Sequence, residues 1–435
     1  MKNRNVFLLA LLAAVAAHAE ESGGDFQRFL KETQLDLTLR SHWKYLKENE
    51  AQPKAVHNAW GAATTLDFRS GWLGDTLGFD ASYTRAAKLA ASDYFATRGI
   101  LYNHGAGFDK SNAGGFSRFG QRYLKLKLGD DAFGLKAKGG WHQLKNVGVL
   151  TNTYRLSRNS YQGYSGSLRW QNLQLDMAWV TRSIMYDSPD SVHFLTLDGK
   201  EIDSILTGGL SWEKQNAVFS WAWGESKDYL RRHLVEITYP LTPKWALASQ
   251  IYGSQALEKY KAMPQSKKQF NDSAWHYAGE VRWQDDSWIQ KVGVAWTRAE
   301  KRNGVGYYDR YIGKNTRGRF NALTSAGKDY LRDGELALTS FTEYQFTESL
   351  ASGIQVNYGQ FSYKNNKIRT GEITWLNRWQ PREGQLKDLT LAAQLGYGWS
   401  YKNINATPIL NSAGEYQRSP SLSAEVGVTW KFGLL

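Results

Sequence analysis

Basic side chains fall repeatedly in one phase of the alternating stretches of this 435-residue chain, and that placement is its most legible chemistry. Lys125 and Lys127 precede a short turn; Lys136 and Lys138 follow it. Read as a hairpin, the two pairs face each other, and like charges so placed repel unless a counterion or an anionic solute offsets them. The same phase, carried through the other alternating stretches, collects Arg40, Lys44, Arg69, Arg169, Arg182, Arg232, Arg282, Lys291, Arg378 and Lys431. Carboxylates share it: Asp67, Asp80, Asp176, Glu236, Glu280, Glu343 and Glu372. Two meanings stand side by side. The cations form a track that hands an anionic group from one to the next, with the carboxylates holding the amine of a zwitterion. Alternatively, both signs only make a water-filled interior polar, the acids pairing with neighbouring arginines.

Residues 142–163 add a second feature. Val147, Val149 and Leu150 share this stretch with Arg155 and Arg158. An exposed loop has no need of that apolar cluster unless it packs somewhere. Folding inward would bury it and leave the two arginines at a constriction; contact with lipopolysaccharide or a neighbouring loop is the competing reading. Catalytic signatures are poor: no HExxH, P-loop or CxxC occurs, and Gly163-Tyr-Ser-Gly-Ser167 misses the GxSxG spacing. Only His42 and His276 fall cleanly in the polar phase, neither beside a nucleophile. No catalytic residue, metal site or cofactor is expected.

The elements that must position these groups are strands. The last of them, Ser421 to Leu435, alternates Leu422, Ala424, Val426, Val428, Trp430, Phe432 and Leu434 with small or polar residues, so it has one greasy face and one wet face. The same alternation recurs along the chain and yields eighteen strands. Most connections after odd strands are long, including 84–121, 142–163, 182–205, 253–274 and 297–335; those after even strands are turns such as Gln171-Asn172 and Thr242-Pro243. Short turns at one end and long loops at the other describe an all-β, transmembrane antiparallel barrel with periplasmic turns and external loops. Aromatics fall at both strand ends, as interfacial girdles require: Trp72, Trp170, Trp212, Tyr239, Trp245, Trp283, Trp288 and Phe346 at the turns, and Tyr83, Trp141, Trp179, Trp223, Trp296, Tyr358 and Trp399 opposite.

The N-terminus fits an exported protein. A basic leader, an apolar run from Val6 to Ala17 and small residues ending at Ala19 read as a signal peptide (residues 1–19), leaving 20–435 as one barrel domain. The apolar run is too short to span a bilayer as a helix. The chain has no cysteine, hence no disulfide framework. Its mean hydropathy of −0.54 suits a barrel that shows lipid only every second residue. A net charge of +13 favours anionic solutes, nucleic acid or lipid headgroups in general; for a membrane barrel no nucleic-acid partner is expected.

Phe29-Leu-Lys-Glu-Thr33 running into Leu35-Asp-Leu-Thr-Leu39 resembles the mature start of OprD-family porins. So does Trp60-Gly-Ala-Ala-Thr-Thr-Leu-Asp-Phe-Arg-Ser-Gly-Trp72, continuing to Leu77-Gly-Phe-Asp80, and Tyr161-Gln-Gly163 is similar to a recurring spot in that family. The resemblance implies an eighteen-stranded monomeric outer-membrane channel for small water-soluble solutes, often carboxylates and amino acids, with a basic ladder in the pore. It also implies contact with lipid bilayer, lipopolysaccharide and the outer-membrane assembly machinery. One branch of the family takes chito-oligosaccharides; the inward aromatics Tyr123, Tyr252 and Phe341 are too scattered for a continuous sugar-stacking track. A barrel-embedded hydrolase is the remaining alternative. The chain ends on Leu435 rather than an aromatic, so assembly recognition would rest on Trp430 and Phe432.

Overall fold

A computed structural model describes residues 24–48, 55–93, 99–107, 109–320, 330–399, 408, 410–416 and 420–435; the expected leader lies outside them. Eighteen long strands make the wall. They are β1 (Gln34–Glu48), β2 (Ala55–Arg69), β3 (Leu77–Ala91), β4 (Phe116–Gly129), β5 (Phe133–His142) and β6 (Ser160–Trp170). Next come β7 (Leu173–Ile184), β8 (Ile205–Lys214), β9 (Ala217–Ser226), β10 (Leu230–Pro240), β11 (Trp245–Ala256) and β12 (Ser273–Gln284). The last third is β13 (Trp288–Arg298), β14 (Leu336–Thr347), β15 (Leu350–Tyr363), β16 (Asn366–Trp379), β17 (Leu389–Gly398) and β18 (Ser421–Gly433). Each pairs antiparallel with its sequence neighbours, and β1 pairs with both β2 and β18. The sheet is closed. Closure satisfies every ladder hydrogen bond within the wall, which is the condition for crossing hydrocarbon with strands.

All connections after even strands are short, from 171–172 to 380–388. Six of those after odd strands are long; 49–54, 227–229 and 364–365 are short. The outer face is apolar: Leu247, Ile251, Trp221, Val292, Ile354 and Trp375 are all exposed. Turn-end aromatics (Trp170, Trp212, Tyr239, Trp245, Trp288, Phe346) and loop-end ones (Tyr83, Trp179, Trp296) are exposed on that face. Trp72 departs from the expected girdle. It lies past the end of β2 in the turn 70–76, with its ring 4.6 Å from Lys125 Nζ and 4.7 Å from Lys127 Nζ. The N-terminal helix α1 (Gly24–Glu32) docks on that turn: the Gly71 N–H donates to Thr33 Oγ1 at 3.0 Å, and Arg28 pairs with Asp75 at 2.9 Å.

Directly opposed residues of an antiparallel pair share a face, so the inward face can be followed around the wall. Arg40 opposes Ala63 and Thr429, Arg69 opposes Asp80, and Asp80 opposes Tyr123. Lys125 opposes Lys138 and Lys127 opposes Lys136, as the hairpin reading requires. The face continues through Arg169, Asp176, Glu236, Glu280 with Arg282, Glu343, and Glu372 with Arg378, and returns to Glu425 beside Gln394.

Arg182 is the exception and a correction. Between β6 and β7 the register skips Thr181: Val180 opposes Gly163, but Arg182 opposes Gln162. The bulge puts Arg182 on the outer face, where strict alternation had placed it inward. Gly163 makes the bulge possible. Its φ is +151°, and a Cβ there would sit 2.1 Å from the Trp179 carbonyl oxygen.

Candidate functional site

The loop 143–159 runs into the lumen and touches inward residues on both sides of it. On one side the Val149 N–H donates to Thr207 Oγ1 of β8 at 2.8 Å, and Leu150 bridges Gly318 of the loop 299–335. Gly224 of β9 leaves room for Val149, whose Cγ2 lies where a Cβ would clash. Val149 and Leu150 are fully buried in the main apolar cluster with Tyr161, Tyr252, Tyr308, Ile312 and Phe320, which fills the loop end of the barrel. The apolar triplet therefore packs inside. On the other side Leu156 fills the space over Gly61 of β2, and Arg155 Nη1 reaches Glu425 Oε1 of β18 at 3.3 Å.

This anchoring delivers three polar side chains to the β18–β1–β2 wall. The Tyr154 ring carries the guanidiniums of Arg40 and Arg158 at 4.0 and 4.3 Å from its centroid, a cation–π arrangement. Arg40 also donates to Thr429 and lies 3.4 Å from His42. Glu425 gathers the rest, holding His42 at 2.7 Å, Lys44 at 2.9 Å and Arg155. Below Tyr154 and Arg158 a pocket of about 220 Å³ opens onto Asp36, Asp67, Arg69, Asp80, Tyr123 and Lys431. Asp36 accepts from Arg69, and Asp80 accepts from Lys125 (2.8 Å) and Tyr123. Among the described residues Asp67 has no such partner.

Toward the turn end the same wall carries the lysine cluster. Lys138 lies 5.1 Å from the Tyr123 centroid, and Lys125 also donates to the Ser70 carbonyl at 2.8 Å. Arg169 closes the column, donating to the Gln171 carbonyl at 3.3 Å. Among the described residues Arg40, Lys127, Lys136, Lys138, Arg158 and Lys431 form no ion pair. Unopposed cations on one side of a water-filled lumen give it a positive potential whose reach is about 8–10 Å at physiological salt.

The sequence model of the outer membrane porin family OprD matches residues 27–394. The chain belongs to the OprD family. Porins of this family are channels of the bacterial outer membrane. No curated protein matches the chain at a significant level. Among solved structures, Pseudomonas aeruginosa OpdK with vanillate is 15% identical, with a TM-score of 0.69 over 93% of this chain and 100% of that one. Pseudomonas aeruginosa OccK9 (OpdG) is 15% identical with a TM-score of 0.73, covering 93% of this chain and all of its own. Acinetobacter baumannii OccAB3 is 16% identical with a TM-score of 0.72 over 92% of this chain and 100% of its own.

The far wall of the porin is built differently. Arg282 pairs with Glu280, Arg378 with Glu343 at 3.7 Å, and Glu236 with Arg319 of the loop 299–335. Glu372 accepts from Thr374 at 2.7 Å. Lys291 lies 5.3 Å from the Phe341 ring. Asp176 accepts from Gln174 at 3.0 Å and lines a second pocket, of about 200 Å³, with Lys145 and Arg319.

Arg232 is inward but not on the open wall, a second correction. It is fully buried and donates to the carbonyls of Asp309, Arg310 and Tyr311 (2.8 Å to the last) and to Ser254 Oγ at 2.9 Å. A desolvated guanidinium is tolerated because carbonyls meet its donors; it clamps the loop 299–335 inside the barrel. In that loop, burial pushes the Asp309 carboxyl above the usual carboxylate range.

Several residues were not singled out by alternation. Glu425 sits in the wet phase of β18, but its partners come from β1 and a distant loop. Arg118 is buried and donates to Ser157 Oγ at 2.8 Å and to the carbonyls of Arg158, Met185 and Ser188, fixing the base of the loop 143–159. Tyr154 and Arg319 lie in loops, where no period marks direction. His276, named from the sequence, is buried against Thr297 at 2.9 Å.

Proposed function

We propose that this porin is a selective passive channel for small carboxylates, amino acids included, which pass along the basic wall formed by β18 and β1–β6. The observation that carries the reading is the placement of Tyr154, Arg155 and Arg158 beside Arg40 and Glu425 on the wall whose inward face also carries the lysine column of β4 and β5. A carboxylate meets the loop arginines first, then Lys138 and Lys125, then Lys136 and Lys127, and leaves past Arg169. Asp67, opposite Arg158 and Lys431 in the same pocket, suits the ammonium of a zwitterion. The similar OpdK was solved with vanillate, itself a carboxylate, which supports the class and not the individual solute.

The loop 143–159 sets the narrowest passage on this reading. The barrel is a monomer handled by the outer-membrane assembly machinery, and residues 20–435 act as one domain. The second reading is a chito-oligosaccharide channel; the inward aromatics Tyr123, Tyr252 and Phe341 lie on separate strands, and Tyr252 is buried under Phe320. Single-channel recording in a planar bilayer separates them. Block by amino acids or organic acids supports the first reading, and block by chito-oligosaccharides alone replaces it with the second. Hydrolysis of lipid or peptide without conductance would sink both.

A further inference from the structure

The bulge that turns Arg182 outward completes a row on the outer surface. Arg122 of β4 opposes Trp141 of β5, Trp141 opposes Gln162 of β6, and Gln162 opposes Arg182 of β7. Arg182 in turn opposes His193, on the short strand Ser191–Leu195 that extends the sheet above β7. Neighbours in such a row stand about 5 Å apart on one face. The result is a line across four barrel strands and beyond, cationic at Arg122 and Arg182 and polar at Gln162 and His193, with the buried Trp141 between Arg122 and Gln162.

Its height can be placed. Trp141 is eight residues up β5 from Phe133, which opposes the turn-end Trp170. At about 3.3 Å per residue and a tilt of about 40°, that separation is roughly 20 Å along the membrane normal, close to the roughly 25 Å apolar band of such barrels. Directly beneath the row lie Leu124, Tyr164 and Trp179, the first two 70% and 66% exposed, as lipid-facing side chains are. The row therefore sits at headgroup level on the loop side.

The cations of this row differ from the outward Arg231 and Arg298. Arg231 is paired with Glu225 at 2.9 Å and Arg298 with Glu300 at 2.8 Å. Among the described residues Arg122 and Arg182 have no carboxylate. Arg122 lies over Trp141 at 5.2 Å and donates to the Phe119 carbonyl; Arg182 contacts His193 Nε2 at 2.7 Å. Guanidiniums at an interface, left without internal counterions, match phosphate with bidentate geometry, and the apolar shelf below matches acyl chains.

We infer that this face of β4–β7 is a docking surface for a phosphorylated glycolipid of the outer leaflet, its phosphates held by Arg122 and Arg182 and its chains lying on Leu124, Tyr164 and Trp179. The site is on the outside of the wall, so it stands or falls independently of solute selectivity. The test is native mass spectrometry of the folded porin with diphosphorylated lipid A and with its dephosphorylated form. Replacing both arginines (R122Q/R182Q) lowers the diphosphorylated adduct roughly tenfold, as losing one or two charge-assisted contacts implies. The ion-paired control R231Q leaves it unchanged, and the dephosphorylated lipid binds the native protein no better than the phosphorylated lipid binds the double variant. Heat-modifiable migration confirms assembly, and R182Q alone serves should the double variant not assemble. Equal binding of both lipids, an unchanged adduct in the variant, or displacement by millimolar inorganic phosphate would each overturn the proposal, the last by reducing the row to a free-phosphate site.

Discussion

Two walls of one lumen handle charge in opposite ways. On β10–β16 the cations are answered within the protein: Arg282 by Glu280, Arg378 by Glu343, and Arg232 by three loop carbonyls. Lys291, against Phe341, has no carboxylate partner among the described residues. On β18 and β1–β6, Lys44, Arg69 and Lys125 are paired, but among the described residues Lys127, Lys136, Lys138 and Lys431 make no ion pair, and the loop 143–159 adds unpaired Arg158 beside Arg155, which Glu425 holds. A cation already paired offers a passing anion little, because binding it means losing the partner. A cation held open by strand geometry keeps its full field. The difference teaches that lumen polarity and lumen selectivity are separable: the first needs only charges of both signs, the second needs charges left unanswered along one side.

The largest expected effect tests whether Arg232 belongs with the clamps and not with the track. Arg232→Met strands the carbonyls of 309–311, at about 1–3 kcal/mol for each one that stays buried and unmet. The expected outcome is a clearly lower temperature for the heat-modifiable transition and faster proteolysis within 299–335, with ion selectivity little changed. A normal transition temperature with altered selectivity would move Arg232 onto the track.

Next in size is the loop. Deleting Val147–Tyr154 removes the buried Val149 and Leu150 and frees Arg155 and Arg158 from the wall. Single-channel conductance is expected to rise in a correctly assembled variant; unchanged conductance would place the narrowest point elsewhere. A smaller effect of definite sign is expected from Glu425→Gln, which leaves Lys44, His42 and Arg155 without their shared carboxylate. Reversal potential under a salt gradient should move toward anions, and the shift should fade at high salt. The smallest is Asp67→Asn. Block by a zwitterionic amino acid should weaken by a few-fold, the scale of one partly exposed ion pair, while block by a simple carboxylate is kept or strengthened.

Much of this architecture was legible because lipid and water lie on the two sides of every strand, so period-two alternation reports faces directly. Lys125 opposite Lys138 and Lys127 opposite Lys136 follow from alternation plus one turn. Arg182 did not, because a single bulged Thr181 inverts the phase and leaves only Gly163 as a trace. Arg232 was read to the correct face, but alternation is silent on what fills the lumen at a given depth. The loop 299–335 folds in on Tyr308, Ile312 and Phe320, which have no regular spacing. Trp72 looked like a girdle residue because it ends an alternating run, yet it belongs to a turn, and turns have no face.

The central claim is that the lysine cluster of β4 and β5, in which Lys125 alone is ion-paired among the described residues, sets selectivity. Its most direct test replaces Lys125, Lys127, Lys136 and Lys138 together with Gln, keeping a polar lining and removing charge, and measures reversal potential under a salt gradient alongside uptake of a carboxylate solute. The account predicts a shift toward cations that shrinks as salt rises, together with reduced carboxylate uptake. An assembled variant with native reversal potential and native uptake would contradict it and hand the selectivity to Arg155 and Arg158.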